Sequence, residues 1–432
     1  MANIRQRGNS FQISVYVGED QNGNKLFERT TFTPTETAPS KARKEAESYA
    51  REFEDRVKNG RYFQGDKMTF LDVIERWKED SAYKNLTLSI REDYEDILNN
   101  RVVSHIGKLI IGKISPMHLQ QLYNEMESEG YAPSTIRRTN GVINSVMSFA
   151  YRMELIKSNP CDRVKLPKID ADTDLHFFDV EQSKYFLQSL SGEFNVIHKG
   201  HKRTLKATGE EYSVPDYNYT VSIPYLWQVY FTIAVYSGFR RGEMIALTWE
   251  DINFNTQSIS INKAITRTKA KGQIIKATKT VAGVREIKLP SICFTMLKEW
   301  KKQERELSLS VGTKWEGYRG NEFDKNFIFI QTEKNIGQHM DVDSPTGKFK
   351  EIVKLINENT PDPEKKLPVI RLHDLRHTSA TLLIAQGVDI ETISHSLGHS
   401  KASVTMDVYG HFMESMDETA SDTLEKLLSI AK

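Results

Sequence analysis

Hydrophobic residues change their spacing along this chain, and no single core accommodates the change. Phe11, Ile13, Val15 and Val17 alternate with Gln12, Ser14 and Tyr16, the period of a half-buried strand. Asn22-Gly23 marks a turn before a second run, residues 25–32, and residues 40–58 read as a charged, alanine-bearing helix that Asn59-Gly60 closes. From about Thr69 to Leu166 the spacing becomes helical. Thr69 caps a helix with Phe70, Val73, Ile74 and Trp77 on one face. Ser115-Pro116 starts a helix carrying Leu119, Leu122, Tyr123 and Met126. Pro133-Ser134 opens another, with Ile136, Val142, Ile143, Val146, Met147 and Tyr151 toward a core. Asn159-Pro160 breaks the pattern, and residues 163–174 read as an extended, charged linker. Strand-like runs at 258–265, 273–276, 285–289 and 327–330 then sit among helices. The expectation is a multidomain α+β protein. A small N-terminal β-sheet plus helix spans 1–64, an all-helical domain 65–168, and a mixed, mainly-α domain with a small antiparallel sheet 169–432.

Composition narrows the classes without choosing a partner. A hydrophobic share of 38% with 10% aromatics belongs to a folded chain. No apolar run approaches a membrane span, and the Met-Ala-Asn-Ile-Arg start lacks a signal-peptide stretch, so a cytoplasmic protein with no membrane partner is expected. Cys161 and Cys293 suit a reducing compartment and have no metal-ligand spacing. The formal charge of +1 does not argue for nucleic acid, yet acidic helices on a far face can cancel a basic groove. Two motifs fall short of their chemistry. Residues 107–113 nearly spell a phosphate-binding loop, but Ile114 stands where a hydroxyl must hold magnesium, and a packed connection is the better reading. Asp170, Asp172, Asp174 and Glu181 have calcium-loop spacing with Leu175 where the turn requires glycine. No cofactor and no metal is therefore expected.

The residues that carry chemistry fall in the mixed domain. In Tyr236-Ser-Gly-Phe-Arg-Arg-Gly-Glu243, Arg240 sits in a tight turn at a helix start, where guanidinium and backbone N–H groups can bind an anion together. Glu243, one turn on, would orient it or cap the helix rather than act on substrate. Thr278-Lys279-Thr280 and residues 285–289 read as a hairpin with 281–283 at its tip. A lysine there can reach into a groove and deliver a proton, and Lys276 competes with Lys279 for that role. Arg371-Leu-His-Asp-Leu-Arg-His377 sets His373 and Arg376 on one helix face. Leu397-Gly-His399 places a histidine just past a helix end, and Tyr409 follows in Val404-Thr-Met-Asp-Val-Tyr-Gly-His411. Alone, each has a bland reading: arginines at helix starts are usually surface residues, and exposed lysines are generic. Arg137-Arg138 suits a solvated face better than a phosphate contact. His377 and His411 read as structural histidines.

In order and context, Arg240, Lys279, His373-x-x-Arg376, His399 and Tyr409 resemble the signature of tyrosine recombinases, the phage and conjugative-transposon integrases. The Leu-Gly-His block with a tyrosine shortly after it is the most specific part. The resemblance covers the whole chain and implies an arm-site-binding domain at 1–64, a core-binding domain at 65–168 and a catalytic domain at 169–432. Ser237 departs from a common threonine, and residues 200–216 look like an inserted polar loop. The implied activity is site-specific recombination that integrates and excises a mobile element or prophage. Tyr409 would attack a phosphodiester, leaving a 3′-phosphotyrosyl link and a free 5′-hydroxyl. Arg240, Arg376 and His399 would hold the phosphate oxygens, His373 would serve as base or positioning group, and Lys279 as acid. The implied partners are double-stranded DNA at core and arm attachment sites and a homotetramer at synapsis, with an excisionase and a host DNA-bending protein as accessories. The tail, 414–432, with Leu424, Leu427, Leu428 and Ile430, would dock on a neighbour or pack on its own domain. A type IB topoisomerase-like nicking-religating enzyme shares this chemistry, but needs no arm-type unit. A non-catalytic DNA-binding regulator of the same fold has no use for every catalytic residue type.

Overall fold

The computed structural model describes residues 2–19, 24–36, 38–58, 67–169, 176–205, 209–277, 283–318, 326–399 and 401–414. They fall into two compact units, Met1–Ala171 and Asp172–Lys432.

In the first unit β1 (Asn3–Arg7), β2 (Ser10–Glu19) and β3 (Lys25–Phe32) form an antiparallel sheet in chain order. Strand alternation sorts its faces. Phe11, Ile13 and Val15 are buried with Ala42, Ala46, Ala50 and Phe53 of α1 (Pro39–Lys58), whose alanines allow close approach. On the open face Arg5 pairs with Gln12, Ser14 with Arg29 and Tyr16 with Phe27. The Asn22-Gly23 and Asn59-Gly60 turn signals lie outside the described residues.

The helices of this unit are α2 (Phe70–Glu79), α3 (Ser81–Lys84), α4 (Leu88–Ile97), α5 (Val103–Ile106), α6 (Pro116–Ser128) and α7 (Pro133–Arg152). Thr69 and Asp72 cap α2 reciprocally, each side chain accepting from the other's backbone N–H. The expected apolar faces share one core, except that Tyr151 is exposed. The buried stripe of α7 ends at Ala150, and the next residue lies about 100° round the helix. Residues 107–113 do pack as a connection: Phe70 N–H donates to the Leu109 carbonyl, Ile111 N–H to that of Met68. Arg137 donates to the Pro167 carbonyl and Arg138 pairs with Asp93 at 2.6 Å, so both have partners within the unit.

The second unit opens with α8 (Val180–Ser189), β4 (Glu193–His198), β5 (His201–Thr204), β6 (Glu211–Val214) and β7 (Tyr217–Ser222). The stretch expected as a polar loop is thus a nested pair of ladders, β4 with β7 and β5 with β6. Main-chain pairing does not need an apolar face, which is why hydrophobic spacing gave no sign of it. There follow α9 (Tyr225–Ser237), α10 (Arg241–Ile245), β8 (Ile252–Asn253), β9 (Ser258–Ile261), β10 (Lys263–Thr268), β11 (Gly272–Ala277) and β12 (Arg285–Lys288). The expected hairpin across 278–289 is corrected: β11 pairs with β10, and β12 joins β9 and β8 in a separate sheet. The run 258–265 splits at Asn262, so its two halves take different partners. Residues 278–282, with Lys279, lie outside the described residues, and 327–330 makes only single bridges. The unit continues with α11 (Ser291–Val311), α12 (Ser344–Glu358), α13 (Asp374–Ala385), α14 (Ile390–Leu397) and α15 (Ala402–Glu414). Its core is centred on α9, with Phe178, Phe186, Phe231 and Phe349 in edge and tilted ring contacts.

No helix among the described residues is long and apolar enough to cross a membrane, and no His, Cys, Asp and Glu cluster among them could hold a metal ion. The calcium-spaced aspartates, Asp170, Asp172 and Asp174, lie outside the described residues.

One buried carboxyl makes stability depend on pH. Glu304 on α11 accepts from Trp249 Nε1 at 2.7 Å, and burial pushes its pKa up to about 7 from an ordinary 4.5. A raised folded-state pKa means this contribution is complete below 4.5 and is lost as pH rises toward about 7. Glu304→Gln keeps an acceptor for the indole and cannot ionise. Thermal unfolding should show the variant more stable than wild type by on the order of 2 kcal/mol at neutral to mildly alkaline pH, with no gain near the ordinary carboxyl pKa.

Candidate active site

The site is assembled from helix ends. The apolar helix α9 stops at Ser237 because Gly238 takes a left-handed φ of 61°. A Cβ at Gly238 would come within 2.9 Å of Leu397 and 3.1 Å of Ser379, so the turn is pressed against α13 and α14. It delivers Arg240 to the N-cap of α10. Gly242, on the first turn of α10, lets that helix settle on β10, where a Cβ would meet the Ile265 carbonyl at 2.5 Å.

Glu243 is the anchor. It is buried, and its carboxylate accepts from the Arg240 backbone N–H at 3.1 Å and from Arg240 Nη1 at 3.0 Å. Arg285 reaches the same carboxylate from β12, with Nη2 at 2.8 Å and its own side chain fully buried. Burial alone would raise the Glu243 carboxyl. The hydrogen bond and charge of Arg285, with Arg240 beside it, outweigh burial and hold it below its ordinary range. Both arginines continue to the end of α14: Arg285 Nε donates to the Ser396 carbonyl at 2.9 Å, and Arg240 Nη2 to that of Gly398 at 3.2 Å. Gly398 is left-handed at φ 68°, and a Cβ there would stand 2.6 Å from Arg285 Nη1. Glycine is needed at this position for both its conformation and its absent side chain.

Arg376, on the first turn of α13, is 4% exposed. Its Nη1 donates to the Gly238 carbonyl at 2.9 Å, while Nη2 is buried with no partner among the described residues. Burial, and next the Arg240 charge, pull its pKa down to about 9. It lines a cleft of about 450 Å³ with His373, Arg241, Arg371 and Tyr230. His373 caps α13 and is held below the ordinary imidazole range by desolvation and by Arg376. His399 follows Gly398. Its Nδ1 meets Thr405 Oγ1 at 2.7 Å, and burial, then Arg376 and Arg240, lower its pKa to about 4. Tyr409 on α15 is 1% exposed, and burial raises its hydroxyl to about 12.

Arg240, His373, Arg376, His399 and Tyr409 therefore converge within one unit, while Lys279 lies outside the described residues. Lys276, its competitor, is half-buried on β11 opposite Ala264. Two side chains of this cluster escaped sequence reading. His377, expected to be structural, has Nδ1 2.8 Å from the Tyr409 hydroxyl, a place His373 was expected to fill. Its position four residues after His373 was the available signal. Arg285 was read only as part of a strand, although it shares the inward alternation with Ile287, and a charged residue there demands a buried partner.

The Glu243–Arg285 pair should behave as a buried ion pair. Arg285→Met leaves the carboxylate short of one cation and should cost about 3–5 kcal/mol in urea unfolding. Adding Glu243→Gln to that variant should recover much of the loss, without restoring the geometry of Arg240.

Two family models match the sequence, the phage integrase family over residues 214–415 and the phage integrase central domain over residues 70–166. A protein of Caldanaerobacter subterraneus subsp. tengcongensis described as tyrosine recombinase XerC-like is 26% identical over 431 residues, 96% of each chain. The ICEBs1 integrase of Bacillus subtilis is 25% identical over 333 residues, covering 77% of this chain and 76% of that one. Among solved structures, the Tn1549 transposon integrase in complex with transposon right end DNA matches with a TM-score of 0.64 and 18% identity, over 84% of this chain and 100% of that one. The fold is shared with that integrase, the two family models take in most of the sequence, and the chain belongs to the phage integrase family of tyrosine-type site-specific recombinases.

Proposed function

We propose that the protein integrates and excises a mobile element or prophage by cutting and rejoining double-stranded DNA through a 3′-phosphotyrosyl intermediate on Tyr409. The observation that carries this reading is Arg376. A buried guanidinium with an unmade hydrogen bond is costly, and a phosphodiester oxygen supplies both the acceptor and the charge it lacks. Glu243 pairs with Arg240 and Arg285 but not with Arg376, so three guanidiniums face one carboxylate and the excess positive charge favours an anion. Arg240 is part-exposed and can turn N–H groups to the same phosphate. His399 Nδ1 is engaged by the Thr405 hydroxyl at 2.7 Å, and the neutral tautomer in which that hydroxyl donates leaves the ring proton on Nε2, from where it can be donated to a non-bridging oxygen. These donors are fixed before substrate arrives, which is the main resource in phosphoryl transfer.

In the step itself Tyr409 Oη bonds to phosphorus as the bond to the 5′-oxygen breaks. Lys279 protonates that oxygen, with Lys276 as the alternative acid. His373, beside Arg376 in the cleft, acts as a positioning hydrogen-bond donor to the phosphate. The phosphotyrosyl diester conserves the energy of the broken bond, so rejoining needs no nucleotide.

The remaining parts extend the reading. Residues 65–168 would grip the core site and 169–432 carry the chemistry. Residues 1–64 would hold arm sites through the open face bearing Arg5, Gln12, Arg29 and the exposed Tyr16 and Phe27, a mix of charge and flat apolar surface suited to a DNA groove. The lambda integrase tetramer bound to a Holliday junction shares the fold at TM-score 0.51 and 13% identity, and it motivates a homotetramer at synapsis. An excisionase and a host DNA-bending protein would set direction, and the reaction would run in the cytoplasm. The tail, including Leu424 and Leu428, lies outside the described residues, and its docking on a neighbour belongs to the same proposal.

Tyr409→Phe should bind attachment-site DNA as wild type does and form no covalent complex on denaturing gels; a covalent complex in that variant would rule out the nucleophile. Lys279→Ala should slow cleavage by roughly 10²–10⁴-fold. Sulfur in place of the 5′-oxygen, a leaving group needing no proton, should restore most of that rate, and absence of rescue would transfer the role to Lys276.

A further inference from the structure

The group that activates the nucleophile is a separate question from the groups that hold the phosphate. Tyr409 is 1% exposed among Ala380, Ile384, Ile393 and Leu397, so bulk water has no route to its proton. Burial also makes the phenol a weaker acid than a free tyrosine. Among the described residues its hydroxyl has one hydrogen-bond partner, Nδ1 of His377 at 2.8 Å, and the two rings meet edge to face at 5.6 Å and 64°. His377 is fixed on α13 one residue beyond Arg376, where the Thr381 hydroxyl donates to its carbonyl. His373 stands one turn earlier, its ring centroid 5.6 Å from that of His377, and touches the cleft rather than the phenol.

Resting on the assignment of Tyr409 as nucleophile, we propose that His377 is a catalytic residue, the base that takes the phenolic proton during strand cleavage and returns it during rejoining. In cleavage the proton passes from Tyr409 Oη to His377 Nδ1 as Oη bonds to phosphorus. The phosphorus–O5′ bond breaks, and the leaving oxygen takes its proton from the general acid. In the reverse step the 5′-hydroxyl attacks the phosphotyrosyl link, loses its proton to that same acid, and the departing phenolate recovers the proton from His377. Acceptance at Nδ1 requires a neutral ring protonated at Nε2. Desolvation, then His373 and Arg376, favour the neutral form, with Asp374 opposing them. Arg376 and His377 are successive residues of α13, so phosphate and proton are handled by different side chains, and the arginine that binds substrate does not compete with the base.

The test is single-turnover cleavage of a nicked attachment-site duplex by the full-length protein. His377→Asn places an amide near the Nδ1 position, keeping a hydrogen bond but no proton acceptor, and should cleave roughly 10²–10⁴-fold more slowly while binding the duplex normally. 3-Fluorotyrosine in place of Tyr409 yields its proton more readily. It should shrink the His377→Asn defect by about tenfold or more, a rescue that a merely structural histidine would not show. If the Asn variant does not fold, His377→Gln provides the same comparison. Wild-type rates in these variants, or a defect indifferent to fluorination, would overturn the role of His377. Peptide mapping of the wild-type adduct separates the two assignments: attachment at a residue other than Tyr409 would overturn the nucleophile itself.

Discussion

The arrangement of the site depends on one carboxylate shared by two guanidiniums. Glu243 lies in the core of the second unit, where an unpaired charge would cost several kcal/mol, and Arg285 and Arg240 together make its burial tolerable. Those arginines arrive from different directions, one from a strand and one from a helix start, and both end on carbonyls at the close of α14. The ion pair thereby ties three elements that are distant in sequence. The helix start carrying Arg240, the turn carrying His399 and the strand following the lysine segment are held in common, so displacement of one is felt by the others.

Much of this is legible in the sequence, for local reasons. Gly238 and Gly398 end helices by a left-handed turn, a requirement that glycine announces, and the residues just beyond them, Arg240 and His399, are delivered to one place. His373 and Arg376 are three apart, which on a helix means one side. The capped helices of residues 65–168 followed from apolar spacing, and the sheet packed on α1 from alternation.

The parts that were not legible are pairings across long separations. Arg285 meets Glu243 across 42 residues and His377 meets Tyr409 across 32, and neither distance leaves a trace in periodicity. Spacing shows which face of a strand is buried but not which strand lies beside it, so β12 was matched with its neighbour in sequence rather than with β9. The nested strands between Glu193 and Ser222 were missed because their side chains are largely exposed and only the main chain pairs.

The register of β12 also bears on which molecules become competent to act. Arg285 faces Ile261 and Ile287 faces Ile259, with Glu286 turned the other way toward Ser258. A slip of one residue would rotate Arg285 outward and bring Glu286 inward, setting two carboxylates where one was neutralised. The sheet could close in that form only against strong repulsion. Correct pairing of a few strand residues thus acts as a gate on assembly, and a copy that pairs wrongly never builds the Glu243–Arg285 pair on which the site rests.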